Sequence, residues 1–117
     1  YLFNSLPRED YLGMIKNSGV LVGNSSSGMI EASYFATPVV NIGIRQQDRE
    51  RGKNVINVEQ ADSTLIYKAI VNALNFDNKK KSQIKQVYGK GNASKNIVKY
   101  LEKISLDEQL IKKQITY

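Results

Sequence analysis

Five residues, Asn24, Ser25, Ser26, Ser27 and Gly28, stand where an apolar run gives way to a helical pattern in the stretch Val20 to Ala36, VLVGNSSSGMIEASYFA. The unpaired amides of a helix's first turn, the positive end of its dipole and nearby serine hydroxyls favour a phosphate at such a junction. Glycine lets that group approach the main chain. Ser-rich junctions also cap helices that bind nothing, and for the five residues alone the two readings weigh equally. Glu31 tips the balance toward the anion site. A capping box needs Ser or Thr three residues before the Glu, and this sequence has Gly28 there, so the carboxylate is expected to be free. One turn into a helix that holds a phosphate, it can accept hydrogen bonds from a sugar hydroxyl; its competing role is a helix-dipole partner.

A second charged segment lies further on. Arg45 to Asn54 reads RQQDRERGKN, ten residues with six charges and one Gly, where the carboxyl end of a strand should open. Loops at that edge of an open α/β sheet line the usual ligand crevice. Arg45 and Arg49 suit a second anion, or ion pairs with Asp48 and Glu50; for any single Arg, plain solvent exposure is the stronger expectation.

Composition limits the chemistry. The 117 residues contain no His and no Cys, which excludes disulfides, thiolate metal sites, the usual Ser triad and the commonest general base near neutral pH. There is no run of 18 apolar residues, and the first residues lack the basic flank and apolar core of a signal peptide, so a cytoplasmic protein without a membrane span is expected. The net charge of +6 is uneven: Tyr1 to Asp77 hold 7 basic and 8 acidic residues, Asn78 to Tyr117 hold 10 Lys and 3 acids. The tail lysines are spread along helical segments with no Arg cluster or aromatic ladder. A solvated helix face is therefore expected in preference to a nucleic-acid site.

These residues need elements to hold them. Tyr1 to Phe3 reads as a short strand, and Arg8 to Asn17 as a helix with Tyr11, Leu12 and Ile15 inward, started by Ser5 or the Pro7 turn and ended near Lys16 and Gly19. Val20 to Val22 suits a strand buried on both faces. After the serine junction, Met29, Ala32, Ala36, Ile30 and Tyr34 give a helix an inward face. Thr37 and Pro38 break it, Val39 to Ile42 and Val55 to Val58 read as strands, and Asp62 or Ser63 caps a helix through Leu74. That helix has an apolar face of Leu65, Ile66, Ala69, Ile70, Ala73 and Leu74. Ser82 to Tyr88 is expected as a short helix. Ala93 to about Ile104 is expected as another, with Ala93, Ile97, Val98, Tyr100, Leu101 and Ile104 on its apolar face. Leu106, Leu110, Ile111 and Ile115 give the tail a helical spacing that packs on a partner surface or frays. The order implies an α/β fold with a parallel sheet and right-handed crossovers. It also looks incomplete, so upstream βα units are expected and the Tyr1 to Phe3 edge should favour homo-oligomers.

The segments GNSSSGMIEA, TPVVNIGIRQQDRERGKNV and VYGKGNAS resemble the C-terminal part of the hydrolysing UDP-N-acetylglucosamine 2-epimerases. The likeness runs from about Leu6 to Leu101, and the Arg45-Gln46 and Arg49-Glu50 pairs separate the sequence from the non-hydrolysing epimerases. It implies the later half of the C-terminal domain of a GT-B fold. Residues 1–104 would form a partial Rossmann-like parallel sheet with flanking helices, and residues 105–117 a helical tail. The missing N-terminal domain of the parent chain would close over a UDP-sugar. The resemblance further implies that Ser25 and Ser26 contact the UDP phosphates, Glu31 the ribose, Arg45 the nucleotide or sugar side and the Leu6 backbone the uracil edge. Ser27 and Gly28 would complete the phosphate turn. The implied reaction loses UDP from C1 with proton removal at C2, giving a glycal that is rehydrated to N-acetylmannosamine, as in sialic-acid-type biosynthesis. It requires no metal or nicotinamide cofactor. The family's acids, bases and key histidine lie outside this stretch, so no catalytic residue is assigned within it, and the chain alone is expected to be inactive.

Three other readings stay open at this level. The same turn can serve a non-catalytic phosphate- or nucleotide-binding module. More weakly, the Lys-rich tail can bind nucleic acid. Within the epimerase reading, a UDP-diacetamido-trideoxyhexose of the legionaminic-type pathway is the rival substrate.

Overall fold

In the computed structural model, which describes residues 1–76 and 87–112, the sheet has three parallel strands in the order β1-β2-β3. They are β1 (Leu21–Gly23), β2 (Val39–Ile42) and β3 (Val55–Val58). Leu21 pairs with Val39 and Val39 with Val55; Val22 pairs with Val40 and Val40 with Ile56. Because side chains alternate across a strand, these two rows point to opposite faces.

Each row has its own helical cover. Val40 and Val58 pack with Ala69 and Ala73 of α3 (Ser63–Leu74), assisted by Val20, Ile42, Ile56, Ile66 and Ile70. On the other face Val39 packs with Ile15 of α1 (Arg8–Asn17) and Ala32 of α2 (Glu31–Tyr34), joined by Tyr11, Leu21, Phe35 and Val55. A sheet covered on both faces needs apolar residues in succession, which is why Val39 and Val40 are both buried. Full burial of such a side chain stabilises by about 1.5–3 kcal/mol. Asp62 accepts a hydrogen bond from the Leu65 amide at 2.8 Å and so starts α3. The interval from Leu65 to Leu74 is less regular than its pattern: Ala69 and Ala73 are buried, while Leu65 and Leu74 remain exposed.

Four expectations are corrected. Tyr1 to Phe3 forms no strand and is exposed; a strand needs a ladder, and among the described residues only β1, β2 and β3 pair. Val22 is exposed rather than buried, because β1 lies at the edge of the described sheet. The helix expected after Gly28 is shortened to the four residues of α2, and a separate 3-10 turn, Ser26–Gly28, precedes it. Tyr34 faces solvent, and Ala36 lies beyond the helix with φ 55°. Finally, α4 (Ala93–Lys103) has the expected span, but its apolar residues Ile97, Val98, Tyr100 and Leu101 are exposed, with no cover among the described residues. A short α5 (Glu108–Ile111) follows. The helix expected over 82–88 lies outside the described residues except for Val87 and Tyr88, which form a turn; Ile115 of the tail pattern also lies outside them.

No helix among the described residues is long and apolar enough to cross a membrane.

Candidate functional site

The serine turn sits at the carboxyl end of β1 and touches both β1 and β2. Ser25 caps it: its Oγ accepts from the Ser27 amide at 3.3 Å, and its carbonyl accepts from the Gly28 amide at 3.1 Å. The Met29 and Ile30 amides both donate to the Ser26 carbonyl, at 2.9 and 3.0 Å. Six amides in a row, Ser25 to Ile30, are thereby divided. Those from Ser27 onward are engaged, while the Ser25 and Ser26 amides make no hydrogen bond among the described residues, nor do the Ser26 and Ser27 hydroxyls. The donors open to an anion are therefore two amides and two hydroxyls at the front of the turn. The dipole of a long helix, expected from the sequence, is not behind them.

Gly28 has a packing reason. A Cβ there would lie 2.9 Å from Val39 Cγ1, so this buried residue lets the turn settle onto β2.

Glu31 opens α2, and its carboxylate has no hydrogen bond or ion pair among the described residues, as the missing capping box predicts. It lines a cavity of about 330 Å³ between α1, α2 and the turn at 87–91. Arg8 and Leu12 supply the α1 wall, Ile30, Ser33, Tyr34 and Phe35 stand beside Glu31, and Tyr88, Gly89 and Gly91 close the far side. Tyr34 and Phe35 meet edge to face, with ring centroids 5.3 Å apart. Arg8 and Glu31 bring opposite charges to one partly apolar cavity, a composition that suits a neutral polar ring and its hydroxyls. Leu6, half-buried, precedes Pro7 at the start of α1 and is not part of the cavity wall; Arg8, two residues on, is.

The loop from Gly43 to Asn54 carries β2 back to the start of the parallel strand β3 without a helix. Its far end is anchored by Asn54, whose Nδ2 donates to the Thr37 carbonyl at 2.8 Å, while Thr37 Oγ1 donates to the Ile15 carbonyl at 2.9 Å. Its near end is anchored by a residue that sequence reasoning missed as a structural part. Gln46 is 4 % exposed, and its Nε2 donates to the Asn24 carbonyl at 2.9 Å. Arg45, next to it, is exposed, and the loop's Arg45, Asp48, Arg49 and Glu50 make no ion pair among the described residues. Tyr88 ties the same loop to the cavity, its hydroxyl donating to the Glu50 carbonyl at 2.8 Å. Apart from Leu6, the expected residues thus fall into two groups, the serine turn with Arg45's loop and the Glu31 cavity. Gln46 and Tyr88 join the loop to each. Apart from the family-like pairs, no local signal marks either residue, because each contact spans more than twenty positions.

No group of three or more acidic, His or Cys side chains among the described residues is placed to hold a metal.

Comparison with known proteins gives a match to the UDP-N-acetylglucosamine 2-epimerase family model over residues 1–102. The hydrolysing UDP-N,N'-diacetylbacillosamine 2-epimerase of Legionella pneumophila is 38 % identical across 99 % of this chain and 30 % of its own length. The hydrolysing GDP/UDP-N,N'-diacetylbacillosamine 2-epimerase of Campylobacter jejuni is 44 % identical over 52 % of the chain and 16 % of its own length. The UDP-N-acetylglucosamine 2-epimerase of Neisseria meningitidis is 37 % identical over 49 % of the chain and 15 % of its own length. The chain therefore spans less than a third of the relatives it matches.

Proposed function

The chain belongs to the UDP-N-acetylglucosamine 2-epimerase family, and from that membership we propose that it is the UDP-binding part of a hydrolysing 2-epimerase. The substrate is a UDP-activated 2-acetamido sugar, and the products are UDP and the C2-inverted free sugar. The observation that carries this reading is the serine turn, with the Ser25 and Ser26 amides and the Ser26 and Ser27 hydroxyls unengaged at the carboxyl end of β1. Two amides and two hydroxyls left unengaged in one short turn suit diphosphate oxygens. Negative charge grows on those oxygens as the C1–O bond breaks, so donors fixed beforehand stabilise the transition state more than the bound substrate. Arg45 adds a cation from the neighbouring loop. Glu31 accepts hydrogen bonds from the ribose hydroxyls, with Arg8 and Tyr34 around the nucleoside and the Leu6 backbone at the uracil edge.

UDP-N-acetylglucosamine is the first substrate reading. A UDP-diacetamido-trideoxyhexose is the second, and it is favoured by the name of the Legionella relative that matches almost the whole of this chain. The family resemblance assigns the proton chemistry at C2 to acids, bases and a histidine in other parts of the enzyme, and this stretch holds no His.

The test is a calorimetric titration of UDP into the protein expressed from its complete gene, followed by turnover of each UDP-sugar. Ser26→Ala is expected to weaken UDP about tenfold or more, as for loss of a hydrogen bond to a charged group. Failure of the protein to bind UDP at all would overturn the reading.

A further inference from the structure

Gln46 is buried at the carboxyl ends of β1 and β2, where its side chain spans two segments 22 residues apart in sequence. Its Nε2 holds the Asn24 carbonyl, the residue immediately before the serine turn, while its Oε1 is buried and finds no donor. An amide with one half used and the other half orphaned is a poor device for stability alone: an apolar side chain of the same length would avoid the lost solvation of Oε1. What the apolar side chain would not do is fix the distance and direction between the loop and the carbonyl.

The backbone around Gln46 is suited to transmit that constraint. The Gln47 amide donates to the Ile44 carbonyl at 2.9 Å, and the Arg49 amide to the Gln46 carbonyl at 3.3 Å, so turned backbone surrounds Arg45 and Gln46. Arg45 is exposed, and its side chain makes no hydrogen bond or ion pair among the described residues.

We propose that Gln46 is a positioning residue for diphosphate binding, clamping the Asn24 carbonyl so that Arg45 and the Ser25–Ser26 amides are held in one arrangement toward the same anion. This inference rests on the UDP-sugar reading and extends it to a residue that does not itself touch the ligand. An anion bound by donors from two separate segments gains from having their spacing fixed in advance, because the ordering need not occur on binding.

The experiment is a double-mutant cycle on the complete protein, with UDP affinity measured by calorimetry and thermal midpoints recorded in parallel. Gln46→Met, nearly isosteric and unable to donate, is expected to weaken UDP about tenfold with little change in thermal midpoint. Arg45→Ala is expected to weaken it similarly, and the double variant no further than either single variant, since without the clamp Arg45 is no longer placed. Gln46→Glu, with two acceptor oxygens facing the Asn24 carbonyl when ionised, should weaken UDP at least as much as Gln46→Met, which guards against a repacking accident. Wild-type affinity in Gln46→Met alongside weakened binding in Ser26→Ala would overturn the clamp and leave the UDP reading standing. Strictly additive losses in Gln46→Met and Arg45→Ala would also overturn it. No UDP binding by any form, wild type included, would remove both.

Discussion

The Tyr88 hydroxyl donates a 2.8 Å hydrogen bond to the Glu50 carbonyl, so the far wall of the Glu31 cavity and the charged crossover loop are tied together. The bond joins residues 38 apart in sequence. Both partners are exposed, so it contributes little to global stability, and its effect is expected at the site. Tyr88→Phe keeps the ring in the cavity wall and removes only the bond. We expect UDP affinity to fall about two- to fivefold, in line with a net hydrogen-bond contribution of roughly 0.5–1 kcal/mol, and amide exchange at Glu50 and Arg51 to quicken. Unchanged exchange would show that the tie does not order the loop.

Glu31 offers a carboxylate that nothing else engages among the described residues. If it receives the ribose, the protein should distinguish UDP from 2'-deoxy-UDP, and Glu31→Ala should erase most of the difference. The expected discrimination is about tenfold or more, for a hydrogen bond to a charged acceptor worth roughly 1.5–3 kcal/mol. Competitive titration of the two nucleotides against wild type and variant measures it. Equal discrimination in both proteins would move the ribose away from Glu31.

Gly28 separates packing from chemistry. Because a Cβ would meet Val39 Cγ1 at 2.9 Å, Gly28→Ala must lift the serine turn off β2 or push Val39 into the core beside Ile15 and Ala32. The expected cost is about 1–3 kcal/mol of stability, as for overpacking in a dense core, with a lower urea midpoint for the complete protein. Gly28→Ala with wild-type stability would mean that the turn yields freely, and its preset donors would then be less rigid than the structure implies.

The parts of this site that were legible in the sequence are those with local causes. The bounds of α1, β2, β3 and α3 follow from apolar spacing and from Asp62, whose side chain closes its own helix start within three residues. The serine turn and the unengaged Glu31 were legible for the same reason. What was not legible depends on distant partners. The apolar spacing of α4 predicts an inward face, yet spacing cannot state whether a partner surface is present, and Ile97 and Leu101 are exposed. Tyr1 to Phe3 has the composition of a strand without a neighbour to pair with among the described residues. Gln46 sits among charges in RQQDRERGKN, and nothing local marks it as buried; only the fold brings Asn24 to it.

Ala36 offers a test of the backbone itself. It follows α2 with φ 55°, the left-handed region in which a Cβ crowds the chain. The hydrogen bonds explain why it is held there: the Thr37 amide reaches back to the Ala32 carbonyl at 2.9 Å and the Ala36 amide to the Ser33 carbonyl at 3.2 Å, the paired closure of a Schellman motif. That closure brings Thr37 to where its Oγ1 donates to the Ile15 carbonyl at 2.9 Å and its carbonyl accepts from Asn54 at 2.8 Å. The left-handed turn at Ala36 therefore sets the anchorage of α1, β2 and the crossover loop. Glycine takes this conformation without the steric penalty, though it loses more freedom on folding. Ala36→Gly should stabilise the complete protein by about 0.5–1 kcal/mol while leaving UDP affinity unchanged. Ala36→Val, with a β-branched side chain in the same region, should destabilise it by more than the glycine gains. Urea denaturation of the three proteins checks the order, and a glycine variant less stable than wild type would mean that Ala36 is not held in the left-handed turn.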